Sequence, residues 1–101
     1  MIIWTAPALE DLDEIADYIA LDNVGAAARL VEKVFAATDR LARFPNLGRR
    51  VPELPDLPYR ELIVFPCRVI YRLEAGKVFI VLVTRGQRLV EEHRLWRGND
   101  N

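Results

Sequence analysis

The run Val78-Phe79-Ile80-Val81-Leu82-Val83 is apolar without interruption. β-Branched and aromatic side chains in so short a run favour a strand. A strand apolar on both faces must be covered on both faces. A chain carrying it therefore needs a sheet with material packed on each side. Two further strand-like runs precede it, Tyr59–Phe65 and Arg68–Leu73. Only Pro66-Cys67 and Glu74-Ala75-Gly76-Lys77 separate the three. Such short gaps favour hairpins, so the runs predict an antiparallel meander with Val78–Thr84 as its third strand. A meander leaves its third strand at an edge, and Ile2-Ile3-Trp4 is the apolar segment available to pair beyond it.

Helices are predicted between that first segment and the meander. Thr5 can cap, and Pro7 suits a first turn. Leu9, Leu12, Ile15 and Ile19 then recur at three and four residues, the spacing of one helical face. Asp11, Glu14 and Asp17 are expected away from that stripe, and acids in early turns suit the helix macrodipole. Asp22-Asn23-Val24-Gly25 reads as a break. A second helix is expected from about Ala26 to Phe44, burying Ala27, Leu30, Val31, Val34, Phe35, Thr38 and Leu41, with Pro45 ending it. Two amphipathic helices joined so tightly form an antiparallel hairpin. That hairpin supplies one covering layer; the other face needs the tail or a partner.

Residues 45–58 carry Pro45, Pro52, Pro55, Pro58 and Gly48. This is a connector within one domain, because neither flank is large enough to fold alone. A chain of 101 residues is a single domain, 1–101. Its tail from Arg85 onward, with Leu89, Val90, Leu95 and Trp96 among charges, fits either a short helix or an extended arm. No apolar run reaches the roughly 18 residues of a membrane span, and the N-terminus lacks the pattern of a signal peptide. One cysteine, Cys67, cannot form an internal disulfide. A cytoplasmic protein is expected.

The net charge of −1 conceals an asymmetry. Residues 1–22 hold six acids and no Lys or Arg, whereas residues 45–101 hold ten bases against seven acids. The basic half could meet nucleic acid or an acidic protein, or simply be solvated surface. Arg68, Ile70 and Arg72 share one strand face by alternation. The two arginines form either a cationic strip for a partner's carboxylates or internal ion pairs with Glu53 or Glu61. His93, the sole histidine, lies in Glu91-Glu92-His93-Arg94 and reads first as a surface residue, though imidazole is a capable proton carrier. One His and one Cys do not make a usual zinc site. Neither a metal nor a cofactor is expected.

Several blocks together resemble a known family. Trp4, Ala8, Asp11-Leu12, Ile15 and Tyr18-Ile19 look like the first helix of the RelE/ParE toxins. Leu41-Ala42-Arg43-Phe44-Pro45-Asn46-Leu47-Gly48-Arg49 resembles their helix exit. Tyr59-Arg60-Glu61-Leu62 and Arg68-Val69-Ile70-Tyr71-Arg72 are similar to their strand blocks, although Cys67 stands where Tyr is usual. Val83-Thr84-Arg85-Gly86-Gln87-Arg88-Leu89 occupies the place of a His-Gly-Arg-Arg-like sequence. The resemblance covers nearly the whole chain, in order.

The resemblance implies an α+β fold: an N-terminal strand, an antiparallel helical hairpin on a three- to four-stranded antiparallel sheet, and a short tail. It implies the toxin of a type II toxin–antitoxin system, held by a ParD-like antitoxin in a hetero-oligomer. ParE-like members inhibit DNA gyrase and need no catalytic constellation. RelE-like members cut messenger RNA on the ribosome, which would assign chemistry to Arg68, Arg88 and His93. The missing lysines and the added Glu61 speak against that branch, so the ParE-like, non-enzymatic reading is preferred. A non-toxic binding module is a third reading. Under the ParE reading, Arg88, Arg94, Trp96 and Arg97 are the target-binding residues, mixing guanidinium and aromatic anchors. The alternative for the tail is docking of Leu95 and Trp96 onto the helical hairpin. Tyr18, Arg60, Arg68 and Arg72 are the expected antitoxin contacts.

Overall fold

The structure, a computed structural model, describes residues 1–86 and 88–97. Five strands form one sheet in the order β1-β5-β4-β3-β2. They are β1 (Ile2–Trp4), β2 (Arg49–Arg50), β3 (Tyr59–Val64), β4 (Cys67–Glu74) and β5 (Lys77–Arg85). β3, β4 and β5 are the expected meander, and β1 pairs beyond β5 in parallel. The strand count exceeds the expected three or four because Arg49–Arg50 pairs with Glu61 and Arg60. Two residues carry no periodicity that could have announced that pairing.

The helices α1 (Ala6–Ala20) and α2 (Val24–Asp39) pack on one face of the sheet. Thr5 caps α1 by accepting the Ala8 N–H at 3.3 Å, and its own hydroxyl donates to the Ile80 carbonyl at 2.9 Å. This hook sets the rotation of α1. Ala8 is turned against the sheet with no exposed surface, while Leu9, expected inside, is 40% exposed. Asp11, expected outside, is buried. α2 begins earlier than expected, because Asn23 is its cap and accepts the Ala26 N–H. The helix gives way at Arg40–Ala42 to a 3₁₀ turn that still buries Leu41, so the expected single helix to Phe44 is interrupted.

The alternation of β4 separates the two cores. Cys67, Val69 and Tyr71 join Leu12, Leu30 and Val34 on the helix side. Ile70 joins Tyr59, Val81 and Leu82 on the opposite side. In β5 the register shifts between Ile70 and Tyr71 of its partner, so Val81 and Leu82 both face away from the helices. The bulge restores Val83 to the helix side. The uninterrupted apolar run thus serves two cores and a phase change. The second core is closed by Val51, Leu54 and Leu57 of the proline-rich connector and by Val90 and Leu95 of the tail. The tail forms a 3₁₀ helix over Glu92–Trp96. Leu95 docks on the face opposite the helical hairpin, because that is where the sheet's apolar surface needs cover. Gln87 and residues 98–101 of the expected tail lie outside the described residues. No helix among the described residues is long and apolar enough to cross a membrane.

Candidate functional site

On the face covered by the tail, β3 and β4 place Glu61 and Arg68 in diagonal positions. Glu61 has no exposed side-chain surface. It accepts from Arg49 Nε at 2.6 Å and from Arg68 Nε at 2.8 Å. Arg68 also grips Glu53 through both terminal nitrogens, at 2.7 and 2.8 Å. Glu53 accepts a further bond from the Val90 N–H, and Arg68 donates to the Arg88 carbonyl. The Arg68 hydrogen bonds hold the Glu53 carboxyl down at about 2, against an ordinary 4.5, and outweigh the opposing effect of burial. The same pairing raises the Arg68 guanidinium. The choice left open between a free cationic strip and internal pairing with Glu53 or Glu61 falls, at Arg68, to the pairing.

Arg72 shares that face further along β4. Its Nε donates to Glu74 at 2.9 Å, and its guanidinium lies 4.6 Å from the centroid of the Phe79 ring. Its Nη1 is buried and without a partner among the described residues. Arg60 donates to the Gly48 carbonyl at 2.8 Å. All three arginines of the expected antitoxin set therefore have internal contacts.

The remaining expected residues divide differently. Tyr18 is 60% exposed on α1, and the Arg85 guanidinium stacks 4.3 Å from its ring centroid. Tyr18, Arg85, Arg88 and Arg94 line one groove of about 620 Å³ between α1 and the end of β5. The structure so joins an expected antitoxin contact with two expected target contacts. Trp96, half-exposed, meets Tyr59 edge-on at 6.4 Å. Arg97, expected as an exposed anchor, instead pairs with Asp11 at 2.6 and 2.9 Å. Asp11 raises the Arg97 guanidinium by that pairing. His93 is exposed and, among the described residues, makes no hydrogen bond or ion pair to Arg68 or Arg88. No group of three or more His, Cys, Asp or Glu among the described residues is placed to hold a metal.

Sequence reasoning missed Asp11, Thr84 and Arg85. For Asp11 the signal exists: it lies three residues after Ala8, on the inward face once the Thr5 cap sets the rotation. Thr84 and Arg85 follow the last apolar residue of β5 and carry no pattern of their own.

Three likenesses accompany this geometry. The family model described as ParE toxin of type II toxin-antitoxin system, parDE, matches residues 2–90. Toxin RelE2 of Caulobacter vibrioides is 39% identical over 89 residues, covering 87% of this chain and 97% of that protein. A chain of the solved chromosomal ParDE toxin–antitoxin system from P. aeruginosa is 26% identical and superposes with a TM-score of 0.69, covering 85% of this chain and 95% of that one.

Proposed function

The chain belongs to the ParE toxin family of type II toxin–antitoxin systems, and from that premise we propose that it stops growth by binding DNA gyrase rather than by cutting messenger RNA. One observation carries the choice. Cleavage of RNA by its own 2′-hydroxyl needs cations turned toward the developing phosphorane and a proton carrier beside them. Here Arg68 is enclosed by Glu53 and Glu61, and the tail lies over it. Two carboxylates beside a guanidinium repel the phosphate it would have to stabilise. His93 is exposed and makes no hydrogen bond to that arginine among the described residues. A binder needs no such constellation, only an accessible surface.

Two parts of the tail offer that surface: Trp96, a half-exposed indole set edge-on against Tyr59, and Arg88 and Arg94, which line the groove beside α1. A family member also implies an antitoxin partner, and a ParD-like antitoxin in a hetero-oligomer is the form we favour. The solved relative is a ParDE system, which supports that form.

A paired assay on the purified protein tests the target. One arm follows gyrase supercoiling and DNA cleavage; the other follows messenger RNA on programmed ribosomes. Gyrase-dependent DNA breaks with intact messenger are expected. Cut messenger with unaffected gyrase would replace this reading with the ribonuclease one. Normal growth on induced expression without antitoxin would leave a binding module.

A further inference from the structure

The sheet edge away from α1 gathers unpaired positive charge. From Arg40 to Pro52 the chain holds four arginines and no acid. Arg40 and Arg43, in the 3₁₀ turn after α2 and just beyond it, are exposed, and neither has an ion-pair partner among the described residues. Arg43 lies 5.8 Å from the centroid of the half-exposed Phe44 ring. Arg50 of β2 stands directly opposite Arg60 of β3. Like charges so placed repel, and among the described residues neither is paired with a carboxylate. Instead Arg50 donates to the Leu57 carbonyl at 3.1 Å and Arg60 to the Gly48 carbonyl at 2.8 Å. The Arg60 bond draws β3 against the turn that begins at Phe44, so the four groups share one margin of the molecule. Arg49 does not count with them, because Glu61 takes its charge. Asp39 and Asp56, exposed acids that flank this margin in sequence, pair with none of the four. The sheet order sets β2 at one edge, while α1 packs over β5 toward the other. α1 exposes Glu10, Asp13, Glu14 and Asp17 and carries no base. Charge is thus segregated across the sheet, and such a field turns the β2 edge first toward a polyanion.

We propose that the β2 edge, with the turn leading to it, grips the phosphate backbone of duplex DNA through Arg40, Arg43, Arg50 and Arg60. A guanidinium fork matches phosphate oxygens by parallel hydrogen bonds. A phosphate seated between Arg50 and Arg60 supplies the anion that their opposition lacks. An acidic peptide fits this edge less well. Strand addition needs a run of free backbone, and β2 has two residues with Pro52 soon after. A single strand of nucleic acid calls for successive aromatic platforms, and between Arg40 and Pro52 there is one ring, Phe44. A grip on the backbone alone carries no sequence preference. The inference goes beyond the gyrase reading and does not depend on it. Where that reading holds, the toxin meets the enzyme through its tail and DNA through the opposite edge of its sheet.

The test is fluorescence anisotropy of the full chain with a labelled DNA duplex of about 20 base pairs, from about 50 to 200 mM salt. Four phosphate contacts give log affinity against log salt a slope of about −3.6, each contact contributing about 0.9. Arg40→Gln, Arg43→Gln and Arg50→Gln should each flatten that slope by about 0.9. The Arg40 and Arg43 side chains make no hydrogen bond among the described residues, so those two variants should melt like wild type. Arg60→Gln also frees the Gly48 carbonyl, so Arg60→Lys accompanies it, keeps the charge and should keep the slope. Arg85→Gln, in the groove beside the acids of α1, should leave the slope unchanged. The idea is overturned if the wild-type chain does not bind the duplex, if the edge variants keep the wild-type slope, or if Arg85→Gln flattens it equally. It is also overturned if oligoglutamate or oligothymidylate of equal charge binds more tightly through the same arginines. Neither gyrase nor ribosome enters this assay, so failure of the target reading would not alter its outcome.

Discussion

Asp11 and Arg97, 86 residues apart, together take the place of a missing strand along β5. β1 ends at Trp4, opposite Ile80. Beyond it, Asp11 Oδ2 accepts the Val83 N–H at 3.0 Å, and Arg97 Nη2 donates to the Val81 carbonyl at 3.3 Å. The carboxylate and guanidinium also bind each other, so one pair satisfies a backbone donor and a backbone acceptor. This clasp joins α1, the sheet edge and the tail.

Removing Asp11 strands the Val83 N–H and leaves Arg97 without its partner. Asp11→Ala is expected to cost about 2–3 kcal/mol, the range for a buried donor left unsatisfied beside a broken charge-assisted bond. Arg97→Ala should cost less, about 1 kcal/mol, because its side chain is partly solvated and Asp11 keeps the Val83 bond. Urea unfolding of both variants measures the difference. Equal losses would show that the clasp acts through the ion pair rather than through the sheet edge.

Glu53 makes stability depend on acid. Arg68 holds its carboxyl at about 2 in the folded chain, below the ordinary 4.5. A carboxyl held below its unfolded value contributes stability that is complete above the unfolded value and is lost as pH falls through the folded one. The contribution is therefore present above about pH 4.5 and disappears toward pH 2. Glu53→Gln should be less stable than wild type at neutral pH, with the gap closing over that window. Thermal melts from pH 7 to pH 2 follow it. A gap that stays constant with pH would mean that Glu53 acts through its shape and hydrogen bonds alone.

Gly48 and Tyr71 test the turn that leads into β2. The Tyr71 hydroxyl accepts the Gly48 N–H at 2.9 Å and donates to the Pro45 carbonyl at 2.8 Å. A Cβ on Gly48 would stand 2.5 Å from the Glu61 backbone oxygen and 2.8 Å from the Tyr71 ring. Backbone cannot yield cheaply, so Gly48→Ala should destabilise by about 1–3 kcal/mol, as overpacking does. Tyr71→Phe leaves the Gly48 N–H and the Pro45 carbonyl unpaired and should cost about 1–3 kcal/mol. Their double variant should lose less than the sum, since both disturb one turn. Strict additivity in denaturant titrations would contradict that coupling.

These pairs also mark where the sequence stops being legible. The meander is readable because hairpin spacing and alternation are local properties of the chain. The helical stripe is readable in period but not in phase, because the Thr5 hook to Ile80 fixes the rotation that turns Leu9 outward and Asp11 inward. Glu53, Glu61 and Arg68 can be suspected as partners, yet only the folded connector brings Glu53 onto the sheet face. The role of Arg97 is hidden for the same reason: its partner lies near the other end of the chain. The groove formed by Tyr18, Arg85 and Arg94 draws on α1, β5 and the tail, and no single stretch announces it.

Leu95 and Trp96 are neighbours with opposite duties. Leu95 is buried at 1% exposure in the second core, whereas Trp96 is 51% exposed and braced only edge-on by Tyr59. Leu95→Ala should destabilise the chain by about 2–5 kcal/mol, the usual cost of emptying a buried leucine site, and should loosen the tail from Ile70 and Leu82. Trp96→Ala should lose about 0.5–1.5 kcal/mol from the aromatic pair together with the burial of the covered half of the indole. If the tail is the gyrase-binding element, Trp96→Ala should nevertheless abolish most inhibition of supercoiling while the protein stays folded. Unfolding curves establish the first half and a supercoiling titration the second. A folded Trp96→Ala variant that still inhibits gyrase like wild type would remove Trp96 from the target surface and leave the arginines of the groove as the contacts to examine.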